Sequence, residues 1–212
     1  MSDLAPITCL FLDIGGVLLT NGWGHESRKL AADTFDLDSA EMEDRHHLNF
    51  ETFEIGKLTR DEYLNRVIFY QPLPFSRDQF WQFMCAQSQP YHGMIDLVAQ
   101  LRHKYGLKIV VVSNEARELN AYRIREFKLG GFVDAFISSC YVGLRKPDAD
   151  IFRLALDIAQ VPAKNIAFID NTPMFAEIAE ELGMRGVVHA DYSQTVRKLA
   201  SLGLWIGDRP TR

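Results

Sequence analysis

Two kinds of apolar pattern alternate along this chain. The first is the short, nearly unbroken run: Ile7 to Leu12, Leu107 to Val112 and Ile166 to Ile169. A strand buried on both faces of a parallel sheet has this pattern. Phe132 to Ile137 and Gly186 to His189 predict two shorter strands. The second pattern is helical spacing. It predicts helices over Met94–Tyr105, Leu119–Phe127, Ile151–Ala159, Phe175–Leu182 and Tyr192–Leu202. Leu97, Val98 and Leu101 share one side of the first, and Ile151, Leu154, Ala155 and Ile158 form a stripe on the third. Strands alternating with helices of this length predict an α/β fold built on a doubly wound parallel sheet.

Between about Asn21 and Pro90 the strand-type runs vanish and helical periodicity takes over. His25–Phe35 and Ser39–Phe53 predict two helices, the second stopped by Gly56. Thr59-Arg60-Asp61-Glu62 and Ser76-Arg77-Asp78-Gln79 are capping-box patterns that open two more. The predicted organisation is a core of residues 1–20 and 91–212 with a helical block, 21–90, inserted into it. Gly207 to Arg212 are expected to be a loose tail.

Polar groups collect where the buried runs end. The first run ends in Asp13, followed by Gly15 and Gly16, the second in Ser113-Asn114, and the third long run in Asp170-Asn171. In open parallel sheets, ligands bind outside the carboxyl ends of the strands. These groups are therefore expected around one crevice. An aspartate before glycines also suits a plain turn, but three strand ends of this kind argue together. Lys146, just ahead of Pro147, is placed to reach the same crevice. Two carboxylates, a lysine and hydroxyl or amide donors suit a divalent cation together with a phosphoryl group; Mg²⁺ is commonly held by one or two carboxylates with phosphate oxygens and water.

Composition narrows the partners. The net charge is −5, so bulk electrostatics do not point to nucleic acid, and an anionic ligand needs a local positive site. No apolar run approaches membrane-spanning length. Met1 to Pro6 lacks the basic and apolar regions of a signal peptide. Cys9, Cys85 and Cys140 are odd in number, far apart and in no metal-ligand spacing, which suits free thiols in a reducing compartment. The expectation is a cytoplasmic protein, monomer or homodimer, with Phe50, Phe53, Phe69 and Tyr70 as apolar groups open to a second copy.

Asp13 after the first strand, Ser113-Asn114 after the second, Lys146 within Gly143-Leu144-Arg145-Lys146-Pro147, and Asp170 after Ile166-Ala167-Phe168-Ile169 follow one another in order. With the helical insert after the first, the chain resembles the haloacid dehalogenase-like (HAD) hydrolase superfamily, in its subfamily with a small helical cap. The resemblance covers nearly the whole chain and implies a Rossmann-like core. It implies a phosphatase acting on a small phosphorylated metabolite, with Asp13 as nucleophile and an aspartyl-phosphate intermediate. Mg²⁺ would be held by Asp13, the backbone carbonyl of Gly15 and Asp170. Lys146, Ser113 and Asn114 complete the catalytic set, and Gly16, Trp23 and Glu115 face the substrate. Packing within the insert is the other reading of Trp23, and a helix-start carboxylate the other reading of Glu115.

Two positions depart from the family pattern. Gly15 stands where family phosphatases place a general-acid aspartate, and Asn171 and Met174 stand where a further carboxylate is common. His25 and Glu115 are the candidates to move the proton instead. Two alternatives remain beside the phosphatase: a catalytically weak ligand- or partner-binding protein, and a dehalogenase using the same Asp13 on carbon without Mg²⁺. Arg145 is expected to be a surface charge, and Glu41 to His47 a solvated helix face.

Overall fold

The apolar runs become strands because both faces of each are covered. In the computed structural model, which describes residues 5–207, β1 (Cys9–Leu12) is the central strand. It pairs in parallel with β2 (Lys108–Ser113) on one side and β4 (Ile166–Asp170) on the other. β3 (Ala135–Ser138) adds outside β2 and β5 (Arg185–Val188) outside β4. The sheet order is β3-β2-β1-β4-β5. This is the doubly wound α/β architecture expected from the alternating pattern.

Side chains alternate across the sheet with the two-residue period of a strand. Leu10 and Leu12 join Ile109, Val111, Ala167 and Ile169 on one face. There they pack on α5 (His92–Tyr105) and α10 (Tyr192–Ser201). Cys9 and Phe11 join Val110, Val112 and Phe168 on the other. That face is covered by α8 (Ala149–Ala159) and α9 (Pro173–Glu181). Expected boundaries shift by a few residues. The strand expected over Phe132–Ile137 starts only at Ala135 because Asp134 turns back, its carboxylate accepting the Ile109 N–H at 2.8 Å. A short helix, α7 (Ser139–Val142), follows β3 directly. Another, α6 (Arg117–Glu126), follows β2.

Residues 25–86 carry α1 (His25–Phe35), α2 (Ser39–Glu54), α3 (Arg60–Val67) and α4 (Arg77–Ala86). Both capping boxes form, Thr59 with Glu62 and Ser76 with Gln79. The four helices share their own apolar cluster around Met42, Phe53, Tyr63, Phe80 and Met84, joined by Ala116 and Leu119 next to and within α6. Phe53 is thereby spent inside, stacked on Tyr63 at 4.1 Å, and is not part of an open apolar face. The chain leaves β1 and returns to α5 through one stitched crossing. The Thr20 N–H donates to the Gln89 carbonyl, the Thr20 hydroxyl to the Gln87 carbonyl, and the Tyr91 N–H to the Leu18 carbonyl.

Glu41 to His47 is not wholly solvated: Met42 is buried and Glu43 pairs with Arg28. No helix among the described residues is long and apolar enough to cross a membrane. Residues 1–4 and 208–212, and with them most of the segment expected to lack a signal peptide and of the expected loose tail, lie outside the described residues.

Candidate active site

Asp13 directly follows β1, Ser113 ends β2 and Asp170 ends β4. Because these three strands are adjacent and parallel, their carboxyl ends deliver all three side chains to one place. The Ser113 hydroxyl donates to Asp13 Oδ1 at 2.6 Å, and the Ile14 N–H donates to the same oxygen at 2.8 Å. Lys146 Nζ lies 3.2 Å from Asp13 Oδ1 and donates to Asp170 Oδ2 at 2.6 Å. Among the described residues no hydrogen-bond donor reaches Asp13 Oδ2, so that oxygen is left to meet a ligand.

The lysine, enclosed by protein, is positioned from β2. Asn114 holds its main chain by a reciprocal pair: the Lys146 N–H donates to Asn114 Oδ1 at 2.8 Å, and Asn114 Nδ2 donates to the Lys146 carbonyl at 2.9 Å. Burial works against the ammonium charge, but Asp13 and Asp170 outweigh it and hold the Lys146 pKa above its ordinary value. Burial, and then the Asp13 charge, push Asp170 up to about 6, against the opposing pull of Lys146.

The glycines after Asp13 give the loop its shape. Gly16 has φ +75°, and a Cβ there would fall 2.3 Å from Asn171 Nδ2. The loop therefore passes against the Asn171 side chain just beyond β4, in a left-handed conformation that favours glycine. Asp13 and Asp170 supply hard oxygen donors of the kind a small oxygen-seeking cation such as Mg²⁺ takes. Among the described residues no group of three His, Cys, Asp or Glu side chains is arranged to hold a metal. Mg²⁺ usually keeps several waters and is held by one or two carboxylates with phosphate oxygens, so the two carboxylates present fit that ion.

Beyond the strand ends lies a cavity of about 60 Å³, lined among others by Trp23, Phe50, Glu54, Asn114 and Glu115. Trp23 lies between the cavity and the core of the inserted helices. It faces this cavity, and it packs edge-on against Phe80 while its indole N–H donates to the Tyr63 hydroxyl at 2.8 Å. Gly16 belongs to a different, larger hollow beside Tyr91, His189 and Tyr192.

The structure corrects the expectations for three charged residues. His25 is 69% exposed and lies 3.5 Å from Glu43, so it is not gathered with the strand-end groups. Glu115 is enclosed by protein; its Oε1 is held by Arg123 at 2.6 Å and also accepts the Ser113 hydroxyl at 3.4 Å, so its charge is matched within the core rather than offered to a ligand. Arg145 is not a free surface charge: it binds Glu54 at 2.9 Å and Glu51 at 3.0 Å on α2. Glu54 was not among the expected site residues. Its only sequence signal is its place just before the Ile55-Gly56 stop of α2, which says nothing of where the helix end will dock.

The family model for haloacid dehalogenase-like hydrolases matches residues 7–183. The chain belongs to that family. It is similar to bifunctional epoxide hydrolase 2 of Rattus norvegicus, 25% identical over 133 residues, which is 60% of this chain and 24% of that protein. The corresponding protein of Sus scrofa is 32% identical over 66 residues, 31% of this chain and 12% of that protein. The chain thus spans about a quarter or less of the length of these relatives. Among solved structures it resembles a HAD family enzyme of Bacteroides thetaiotaomicron, an aspartate-to-alanine variant in complex with magnesium and inorganic phosphate. The TM-score is 0.75 at 21% identity, covering 88% of this chain and 97% of that one. It also resembles L-2-haloacid dehalogenase from Xanthobacter autotrophicus with chloropropionic acid covalently bound, at TM-score 0.60 and 16% identity, covering 92% and 83%. At these identities the likeness speaks for a shared HAD fold.

Proposed function

We propose that this HAD-like hydrolase is a phosphatase of small phosphomonoesters with Asp13 as nucleophile. The observation that carries the reading is the strand-end constellation. One Asp13 oxygen is fixed by Ser113, Ile14 and Lys146 while the other is unengaged. A carboxylate so oriented is prepared to attack phosphorus. Lys146 and the backbone N–H groups of the Asp13 loop neutralise charge on the phosphoryl oxygens. Asn114 positions Lys146 for that task.

Asp13, Asp170 and the Gly15 carbonyl would hold Mg²⁺, which when bound supplies further charge neutralisation at the phosphoryl group. Residues 21–90 act as a cap that excludes water and sets the size of the alcohol portion. The small cavity lined by Trp23 and Phe50 supports a compact leaving group. The bacterial HAD enzyme that binds magnesium and inorganic phosphate supports the same choice of ligand chemistry.

The experiment is hydrolysis of para-nitrophenyl phosphate by wild type and Asp13→Asn, with Mg²⁺ and with EDTA. Turnover that requires both Asp13 and Mg²⁺ is the expected result. Metal-independent release of halide from a 2-haloacid, with no phosphate release, would replace this reading with a dehalogenase.

A further inference from the structure

An alkoxide leaving phosphorus needs a proton, and none of the strand-end groups has one to spare. Gly15 has no side chain, Ser113 already donates to Asp13, and Lys146 is pinned between two carboxylates. Four other titratable groups line the adjoining cavity: His46, Glu54, Glu115 and Arg123. Glu115 and Arg123 pair with each other at 2.6 Å and are closed off from a ligand, their side chains 3% and 2% exposed. The Nδ1 atom of His46 is engaged by the Tyr63 hydroxyl at 2.7 Å, and burial, then the Arg28 charge, push its pKa down to about 4. That leaves Glu54. We propose that Glu54, carried into the site by the inserted helix α2, is the proton donor and acceptor of the reaction; this rests on the phosphatase reading above.

The residue is held from two sides. Glu54 is the last residue of α2, and its backbone carbonyl accepts the Ser139 hydroxyl at 2.6 Å. Ser139 in turn accepts the Glu115 N–H at 2.9 Å, so the helix end is bolted to the segment that follows β2. Arg145, the residue before Lys146, donates to Glu54 Oε2 through Nε at 3.1 Å and Nη2 at 2.9 Å. Among the described residues no donor reaches the other oxygen, Oε1. The same Lys146 segment that serves the phosphoryl group therefore orients the carboxyl that would serve the leaving group. Burial outweighs the lowering influence of Arg145, and the Asp13 charge adds to it, so the Glu54 pKa is held above its ordinary value.

The steps balance. An oxygen of Asp13 bonds to phosphorus, the bond from phosphorus to the ester oxygen breaks, and the Glu54 proton passes to that oxygen. Water then attacks phosphorus, the bond from phosphorus to the Asp13 oxygen breaks, and a water proton returns to Glu54. The alcohol and phosphate are released and both carboxyl groups are restored.

The test compares kcat/KM for ethyl phosphate and para-nitrophenyl phosphate at saturating Mg²⁺, in wild type, Glu54→Gln and Glu54→Asp, with folding checked by circular dichroism. A general acid is worth about 10²–10⁴-fold. Glu54→Gln should lose on that order for ethyl phosphate and less than about tenfold for the nitrophenyl ester, whose leaving group needs little protonation. Glu54→Asp should recover part of the loss. An equal loss on both esters means a structural role for Glu54 and overturns the proposal, as does no loss. Should Glu54→Gln fail to fold, the ester ratio of Glu54→Asp decides, an unchanged ratio overturning the proposal. Absence of any Asp13-dependent wild-type turnover of the nitrophenyl ester overturns the phosphatase reading and this proposal together. Asp13-dependent turnover with an unchanged ester ratio overturns the role of Glu54 alone.

Discussion

The Lys146 ammonium and the Asp170 carboxylate lie 2.6 Å apart with neither side chain open to water. Asp13 stands on the other side of the same ammonium at 3.2 Å. Replacing the lysine with methionine leaves two carboxylates facing each other in a closed site. Breaking a buried ion pair from one side costs about 3–5 kcal/mol. Urea unfolding of Lys146→Met should show a loss of that order together with loss of phosphate release. Because a cation bound by the two carboxylates would take over part of the neutralisation, Mg²⁺ should raise the melting temperature of this variant more than that of wild type.

Arg123 and Glu115 form a second enclosed pair, 2.6 Å apart, and Arg123 also donates to the Thr20 carbonyl at 2.6 Å. Arg123→Met is expected to destabilise by about 3–5 kcal/mol, since Glu115 is left buried without its counter-charge. Glu115→Gln paired with Arg123→Met should be milder than Arg123→Met alone, because the orphaned charge is gone. A double-mutant cycle read by urea unfolding checks this.

His46 gives stability a pH dependence of defined sign. Its pKa falls from about 6.5 in the unfolded chain to about 4 in the folded one. Between those values the unfolded chain binds more protons, so stability rises with pH across the window. It is lost as pH falls from about 6.5 through 4, and this group adds no slope above 6.5. His46→Gln should remove that component. Comparing urea midpoints at pH 7 and pH 4.5 in wild type and variant measures the difference.

Gly56 has φ +74°, and a Cβ on it would sit 2.3 Å from the Cys140 carbonyl oxygen. The obstacle is backbone and cannot swing aside. Gly56→Ala combines a left-handed conformation costing about 1–2 kcal/mol with displacement of the turn that carries Glu54. The expected outcome is a lower melting temperature and, if Glu54 moves the proton, a larger fall in ethyl phosphate turnover than in nitrophenyl phosphate turnover.

What was legible in the sequence was what short spacing encodes. Unbroken apolar runs mark β1, β2 and β4, and the position of each run's end brings Asp13, Ser113 and Asp170 together at the carboxyl edge of the sheet. Thr59 with Glu62 and Ser76 with Gln79 announced two helix starts correctly because a capping box is a four-residue event. The contacts between the insert and the core were not legible. Arg145 meets Glu54 across 91 positions of chain and Ser139 meets Glu54 across 85, and no local pattern records such a meeting. Arg145 next to Lys146 therefore passed for a surface charge, and Glu54 for the end of an ordinary helix. His25 follows the first loop in sequence, yet helix α1 turns it outward to Glu43.

The three cysteines are all free and all enclosed, and burial above all pushes their thiol pKa values to about 12, 11 and 12 for Cys9, Cys85 and Cys140. A thiol held that far from its thiolate is inert toward alkylating reagents while the fold is intact. The three sit in separate neighbourhoods: Cys9 in the central strand, Cys85 among the inserted helices, and Cys140 in α7 beneath the turn that ends α2. Each is therefore a native clock for a different opening motion. Timed alkylation followed by peptide mass mapping would distinguish loosening of the helices, parting of the two layers and melting of the sheet in one untagged, unmutated sample.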